Sequence, residues 1–324
     1  MKTVLFYAAL LTLTTSPAAG QVGPPLVDHH QHLFSPAAAA LVTPNPLPPG
    51  ATALQSIDAD RVIGLLDSAG IRRALVLSVA YTWGNPSRHV ENEYEQVKAE
   101  NDWTARQVDR YPDRLRAFCS FNPLRDYALD ELNRCFANPL LRAGLKLHIG
   151  NSAVDYHKAQ DREQLRRVFR AADDRHMAIV IHMRASISRN LPYGREEARI
   201  FFDSILPAAP HVPVQIAHLA GAGGYDATTD SALSVFVDAI ARHDPRAQRL
   251  WFDVTTVCRN MTSDDARLIA HRIRQLGPER VLYGSDAAAG DNLAPRAAWA
   301  EFLTLPLTAA EFRTIATNVA PYMR

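Results

Sequence analysis

Short runs of apolar and β-branched residues recur along the chain, and between them apolar positions return every three or four residues. The first pattern is that of short buried strands and the second that of helices burying one face. Strands are expected at Leu26–His32, Ala74–Val79, Leu115–Phe121, Gly144–His148, Ala178–Met183, Val212–His218, Leu250–Thr255 and Arg280–Ser285. Helical patterns occupy Asp58–Ser68, Glu91–Arg110, Asp161–Asp174, Glu196–Ile205, Ser231–His243 and Asp264–Leu276, and Ala297–Leu303 and Ala309–Asn318 follow the last strand. A helix between successive strands makes the strands parallel, and eight such units close a barrel. The rival is an open doubly wound sheet, but no Gly-x-Gly-x-x-Gly follows the first strand and no phosphate-binding loop occurs. The expectation is an α/β single domain, a (β/α)8 TIM barrel over residues 21–324. The Pro-rich Ser35–Gly50 reads as a long loop after strand one, and an extra helix closes the C-terminus.

The N-terminus breaks the pattern. Lys2, an apolar run from Val4 to Leu13 and the small residues Ala18-Ala19-Gly20 describe a secretory signal peptide over residues 1–20. A bilayer span needs about 20 apolar residues, so the run is too short to be an anchor. No later segment is long and apolar enough either, so no integral membrane segment is expected after processing. A secreted or periplasmic protein, bacterial in the look of its signal, follows.

Composition narrows the function classes. Lys and Arg number 35 against 34 Asp and Glu, which excludes a generic nucleic-acid binder. With 47% hydrophobic and 21% charged residues, disorder is excluded too. Three cysteines in 324 residues are no disulfide framework. A Cys119–Cys135 pair is left open, but the three read first as buried small hydrophobes. A small-molecule substrate is the expected partner, with a homo-oligomer left open.

The chemistry sits where strands end. The first strand reads Asp28-His29-His30-Gln31-His32, and strict alternation puts Asp28, His30 and His32 on the barrel interior with His29 outside. Imidazoles at i and i+2 chelate a divalent metal. Strand four brings Lys146 and His148 to its end, strand five His182, strand six His218, and strand eight leads into Asp286. An ionisable group at the end of a buried strand is costly unless paired or metal-bound. Five of eight strands carrying one at the same end point jointly to a divalent metal site. Past His182, Arg184 is a candidate to receive a substrate carboxylate. His148, Tyr81 and Trp83 are candidate pocket walls, Arg259 is a weaker anion binder, and Asp253 reads as structural. His89, His157, His176, His211, His243 and His271 fall away from strand ends and carry no chemistry in this reading.

Asp28-His29-His30-Gln31-His32, Gly144-Leu145-Lys146-Leu147-His148, Ile181-His182, Ala217-His218-Leu219-Ala220-Gly221 and Tyr283-Gly284-Ser285-Asp286 together resemble the amidohydrolase superfamily, in its amidohydrolase-related TIM-barrel branch. The closing Asn318-Val319-Ala320 is similar to that family's terminal turn. The resemblance implies His30, His32, His182 and Asp286 as metal ligands. It makes His218 either a ligand of a second ion or a catalytic residue facing the substrate. Lys146 is a further ligand candidate, since a carboxylated lysine on this strand bridges the ions in two-metal members. The branch favours one ion, zinc first. Hydrolysis of an amide, ester or lactone by a metal-activated water is the activity implied, with Asp286 moving the proton and His218 orienting the carbonyl oxygen. The alternative is a non-oxidative decarboxylase, since the branch contains aminocarboxymuconate-semialdehyde and resorcylate decarboxylases with similar ligands. Export counts mildly against decarboxylation. A periplasmic binding protein with a degenerate barrel would have lost a ligand, and none of the expected positions is lost.

Overall fold

Parallel pairing runs without interruption through the computed structural model, in the order of the chain: β1 (Val27–Gln31), β2 (Arg73–Leu77), β3 (Leu115–Ser120), β4 (Gly144–His148), β5 (Ala178–His182), β6 (Val214–Ile216), β7 (Leu250–Asp253) and β8 (Val281–Leu282). The structure describes residues 22–47, 52–287 and 292–324, so the signal peptide expected at 1–20 lies outside the described residues. The eighth strand meets the first through His29 N donating to Tyr283 O at 2.9 Å and Asp286 N donating to His30 O at 2.8 Å. That seam makes the sheet a (β/α)8 barrel.

Around it run α1 (Pro36–Val42), α2 (Ala59–Ala69), α3 (Glu93–Asp109), α4 (Ala128–Ala137), the one-turn α5 (Ile149–Ser152), α6 (Ala159–Asp173), α7 (Arg195–Ile200), α8 (Ala227–Ala241), α9 (Ser263–Leu276), α10 (Pro295–Phe302) and α11 (Ala309–Thr317). Their sequences explain their limits. In α9 the buried Ile269, Ala270, Ile273 and Leu276 recur at helical spacing, and a Thr262–Asp265 capping box satisfies the first turn. Among the described residues no helix is long and apolar enough to cross a membrane.

Two apolar layers result. The larger lies between the strands and the helices and includes Ala74 and Val76 of β2. The smaller fills the N-terminal half of the barrel with Val27, Leu75, Leu77, Phe118, Ala178, Val180 and Leu282, and the tail residues Ala320, Tyr322 and Met323 join it. Arg73 Nη1 donates to Met323 O at 2.6 Å, and Arg116 Nη1 donates to Tyr322 O. The end of the chain is therefore a plug in the floor of the barrel.

Three expectations are corrected. The segment Ser35–Gly50 is not all loop: Ser35 accepts from Ala38 N, Pro36 stands in the first turn, and a run of alanines carries α1. Cys119 and Cys135 are not separate buried thiols but form a disulfide joining β3 to α4, with Cα atoms 6.2 Å apart. Sequence separation says nothing about that approach, which the packing of the helix on its strand creates. Cys258 is a free, buried thiol. Finally, β6 ends at Ile216 and β8 at Leu282, short of the expected His218 and Ser285; left-handed backbone at His218 and Leu219 (φ 55° and 48°) ends β6, and Asp286 adopts it at 54° beyond β8.

Candidate metal centre

The site is built on an irregularity in β1. Asp28 pairs with Ala74 and Gln31 with Val76, so three steps on β1 span two on β2. Such a bulge breaks side-chain alternation. Asp28 and Gln31 stand beside the outward Ala74 and Val76, while His29 and His30 both turn toward the barrel axis. The expected assignment of Asp28 inward and His29 outward is thus reversed. His29 Nδ1 donates to Tyr283 O at 3.1 Å and its Nε2 accepts from Ala320 N at 3.3 Å. The Asp28 carboxylate accepts from His30 N (3.1 Å), Gln31 Nε2 (2.8 Å), Ser285 N (3.0 Å) and Ser285 Oγ (2.6 Å), tying β1 to the segment after β8.

Three imidazoles are aimed by their Nδ1 atoms. His30 Nδ1 donates to Asp253 Oδ2 at 3.1 Å, His32 Nδ1 to Leu77 O at 2.6 Å, and His218 Nδ1 to Thr255 O at 3.1 Å. Each bond leaves Nε2 unprotonated, with its lone pair turned into the site, the arrangement that metal-binding histidines adopt. Asp286 completes the group: its Oδ1 lies 3.5 Å from His32 Nε2 and is buried with no hydrogen-bond partner among the described residues. His30, His218 and Asp286 offer ligand atoms that all lie within 4.8 Å of one another. An orphaned carboxylate oxygen facing imidazole lone pairs fits a divalent cation by donor chemistry as well as by spacing.

His182 is one ring further out. It stacks on His148, with centroids 3.9 Å apart, and meets the edge of His218 at 4.9 Å, outside the tight group of three. Lys146 Nζ stands 3.3 Å from His30 Nε2. Tyr81 lies against His148, with ring centroids 4.9 Å apart. Trp83 does not: it packs into the layer between strands and helices, its indole beside the Glu100 carboxyl. The apolar bulk of Trp83 is better buried under α3 than exposed at the mouth. Arg184 borders a cavity of about 300 Å³ together with Asn85, His148, Asn151 and His182, and its Nη1 donates to Asp226 Oδ2 at 2.8 Å. Arg259 borders a separate cavity of similar size with Tyr283, Leu293 and Phe302.

Asp253 is more than the structural residue its place in β7 suggests. Besides His30 it accepts from Gln215 Nε2 (2.6 Å), His218 N (2.8 Å) and Thr255 N (3.2 Å). One carboxylate thus orients one imidazole and the backbone of another. The signal in sequence was its charge inside an otherwise apolar strand.

Burial dominates the titration of these groups. It pushes His30 down to about 3 and His29 down to about 4, so both imidazoles are neutral at pH 7. His32, His148, His182 and His218 move the same way for the same reason. Burial would raise Asp253, but the neighbouring His30 and His218 overcome it and hold its carboxyl well below the usual range. Asp286 is pushed up by burial and by the nearby Asp253 and Asp28, against the opposing charge of Lys146. Lys146 is pushed down by burial.

The family model described as amidohydrolase matches residues 27–318. Among solved structures, 5-carboxyvanillate decarboxylase of Sphingomonas paucimobilis superposes with a TM-score of 0.61 at 17% identity, covering 91% of this chain and 97% of that one. A dihydroxybenzoic acid decarboxylase of Polaromonas with bound manganese gives 0.57 at 17% identity over 91% and 95%. A probable 2-pyrone-4,6-dicarboxylic acid hydrolase of Acinetobacter baumannii gives 0.58 at 15% over 90% and 96%. Comparison with curated proteins finds no match. At these identities the structural likeness carries the fold.

Proposed function

The chain belongs to the amidohydrolase family, and on that premise we propose that it is a divalent-metal-dependent enzyme decarboxylating an aromatic or unsaturated carboxylic acid without an oxidant. The observation that carries this reading is the placement of Asp286, whose buried Oδ1 has no hydrogen-bond partner among the described residues and lies 3.5 Å from His32 Nε2, within the imidazole group. Cleaving the bond to a carboxylate leaves an electron pair on carbon that must capture a proton, and a buried carboxyl is suited to supply it. Neighbours of the fold that act on aromatic carboxylic acids by name lend support.

His30, His32 and His218 with Asp286 are the residues that would hold the ion, with His182 next in reach. When bound, the ion supplies a positive centre that orients and polarises a substrate oxygen. The chain does the rest. The stacked His148 and His182 line the cavity that Arg184 borders, and Arg184, anchored on Asp226, receives a second acidic group of the substrate. As the carbon–carbon bond breaks, carbon dioxide leaves and the electron pair takes the proton from the Asp286 carboxyl. Water then returns a proton to Asp286.

Hydrolysis of an amide, ester or lactone remains a second reading, favoured by the hydrolase among the neighbours. There Asp286 takes a proton from water and passes it to the leaving group, while His218 orients the carbonyl oxygen. We propose one ion, zinc on the imidazole-rich donor set, with Lys146 unmodified beside His30. We also propose that the protein is exported, a reading that the Cys119–Cys135 disulfide supports because such bonds persist in oxidising compartments.

The test is an assay of zinc- and manganese-loaded protein on aromatic acids, lactones and esters. Carbon dioxide release with solvent deuterium at the vacated carbon supports the first reading. Acid release without carbon dioxide replaces it with the second. A purified protein that retains no divalent ion after loading removes both.

A further inference from the structure

The floor of the barrel and the candidate metal centre are joined by a continuous line of hydrogen bonds. Tyr322 Oη, in the tail plug, donates to Gln215 Oε1. Gln215 Nε2 donates to Asp253 Oδ2 at 2.6 Å and to His29 O at 3.3 Å. Asp253 Oδ2 in turn accepts from His30 Nδ1 at 3.1 Å. Gln215, Asp253 and His30 are all buried to 1% exposure or less, so no solvent competes for these bonds.

The direction of the line matters. A primary amide has a donor end and an acceptor end, and it can rotate to exchange them. The Asp253 carboxylate, which also accepts from His30 Nδ1, His218 N and Thr255 N, takes the donor end of Gln215. The Tyr322 hydroxyl fills the acceptor end and so makes the rotated amide unfavourable, since that orientation would set Gln215 Oε1 against the carboxylate. With Gln215 fixed, Asp253 Oδ2 keeps its place for His30 Nδ1–H, and His30 presents Nε2 to the site. The tail that carries Tyr322 is itself held by the guanidinium groups of Arg73 and Arg116 and by Ala320 N on His29 Nε2.

We propose that Tyr322 is a positioning residue for the metal centre, acting through Gln215 and Asp253 on the His30 imidazole from the opposite end of the barrel. The C-terminal plug thereby sets the affinity and geometry of a site it does not touch. The inference rests on reading the strand-end cluster as a metal centre.

Tyr322→Phe removes the hydroxyl and keeps the ring, which packs edge-on to Phe118 at 5.1 Å. Zn2+ affinity of the metal-stripped full chain is measured by chelator competition for wild type, Tyr322→Phe, Gln215→Ala and the double variant, with the visible spectrum of the Co2+ forms recorded alongside. Outer partners of metal ligands are worth about 10- to 100-fold in affinity, and Tyr322→Phe is expected near the lower figure. In the Gln215→Ala background the same change is expected to have no further effect on affinity, because the line is already cut. The Co2+ spectrum is expected to shift in each variant. Unchanged Zn2+ affinity and Co2+ spectrum in Tyr322→Phe overturn the proposal. So do additive losses in the double variant, which mark general loosening of the floor. A wild type that binds neither ion overturns the metal-centre reading beneath it, a result distinct from binding that is insensitive to Tyr322.

Discussion

Asp286 is the residue on which the proposed chemistry turns. Its left-handed backbone and its N–H bond to His30 O aim the carboxyl at the imidazole group, and burial favours its protonated form. Asp286→Asn keeps shape and removes the exchangeable proton. Turnover is expected to fall by about 10²- to 10⁴-fold, the usual worth of a positioned acid or base. Kinetics on protein of measured metal content check this, and near-normal turnover at full occupancy would remove Asp286 as the proton carrier. At this scale the sequence showed the residue types and the strand ends but not the partners. Asp253 looked structural because its contacts with His30, Gln215 and His218 come from 223, 38 and 35 residues away. Trp83 was read with Tyr81 as a pocket wall because both follow strand two, yet it packs between strands and helices.

At the scale of elements, the strand and helix pattern was legible and the irregularities were not. The bulge in β1 turns two consecutive histidines inward, which no periodicity of two predicts. The helix α1 was legible in principle, with Ser35, Pro36 and an alanine run, and was masked by the surrounding prolines. Gly284 lets the segment after β8 pass close to β1: a Cβ there would meet Thr255 Oγ1 and stand 2.7 Å from His30 Cβ. Gly284→Ala is expected to lower unfolding free energy by about 1–3 kcal/mol through overpacking and to weaken Zn2+ binding, as read by denaturant melts and chelator competition. The disulfide between β3 and α4 closes a loop of 16 residues, for which chain entropy gives about 3 kcal/mol. Cys135→Ser is expected to lower stability by that order. Wild-type melts with and without reductant are expected to differ likewise, whereas Cys135→Ser should be indifferent to reductant.

At the scale of the whole molecule, one pool of buried imidazoles sets the acid limit of the metal-free fold. His29 is held down to about 4 and His30 to about 3, with His32, His148, His182 and His218 shifted in the same direction. These groups stay neutral when folded but take up protons when unfolded below about 6.5, so the unfolded state binds more protons there. Their contribution is complete above about pH 6.5 and is lost as pH falls toward the folded values. His29 alone accounts for roughly 3 kcal/mol across that window. Asp28, raised to about 6 by burial, works the other way and offsets part of the loss. Thermal midpoints of metal-free protein are expected to fall steeply between pH 6.5 and 4.5, and a flat profile would mean the imidazoles are not buried neutral. The order of eight parallel strands, and the histidines and carboxylate at their C-terminal ends, were determined by the sequence itself. Hydrophobic periodicity is local and survives any change of partner. Tertiary structure alone decided which imidazoles converge, that Cys119 meets Cys135, and that the last residues plug the floor beneath the site. Those are contacts between segments far apart in the chain, fixed by barrel closure and by one bulged strand rather than by any local pattern.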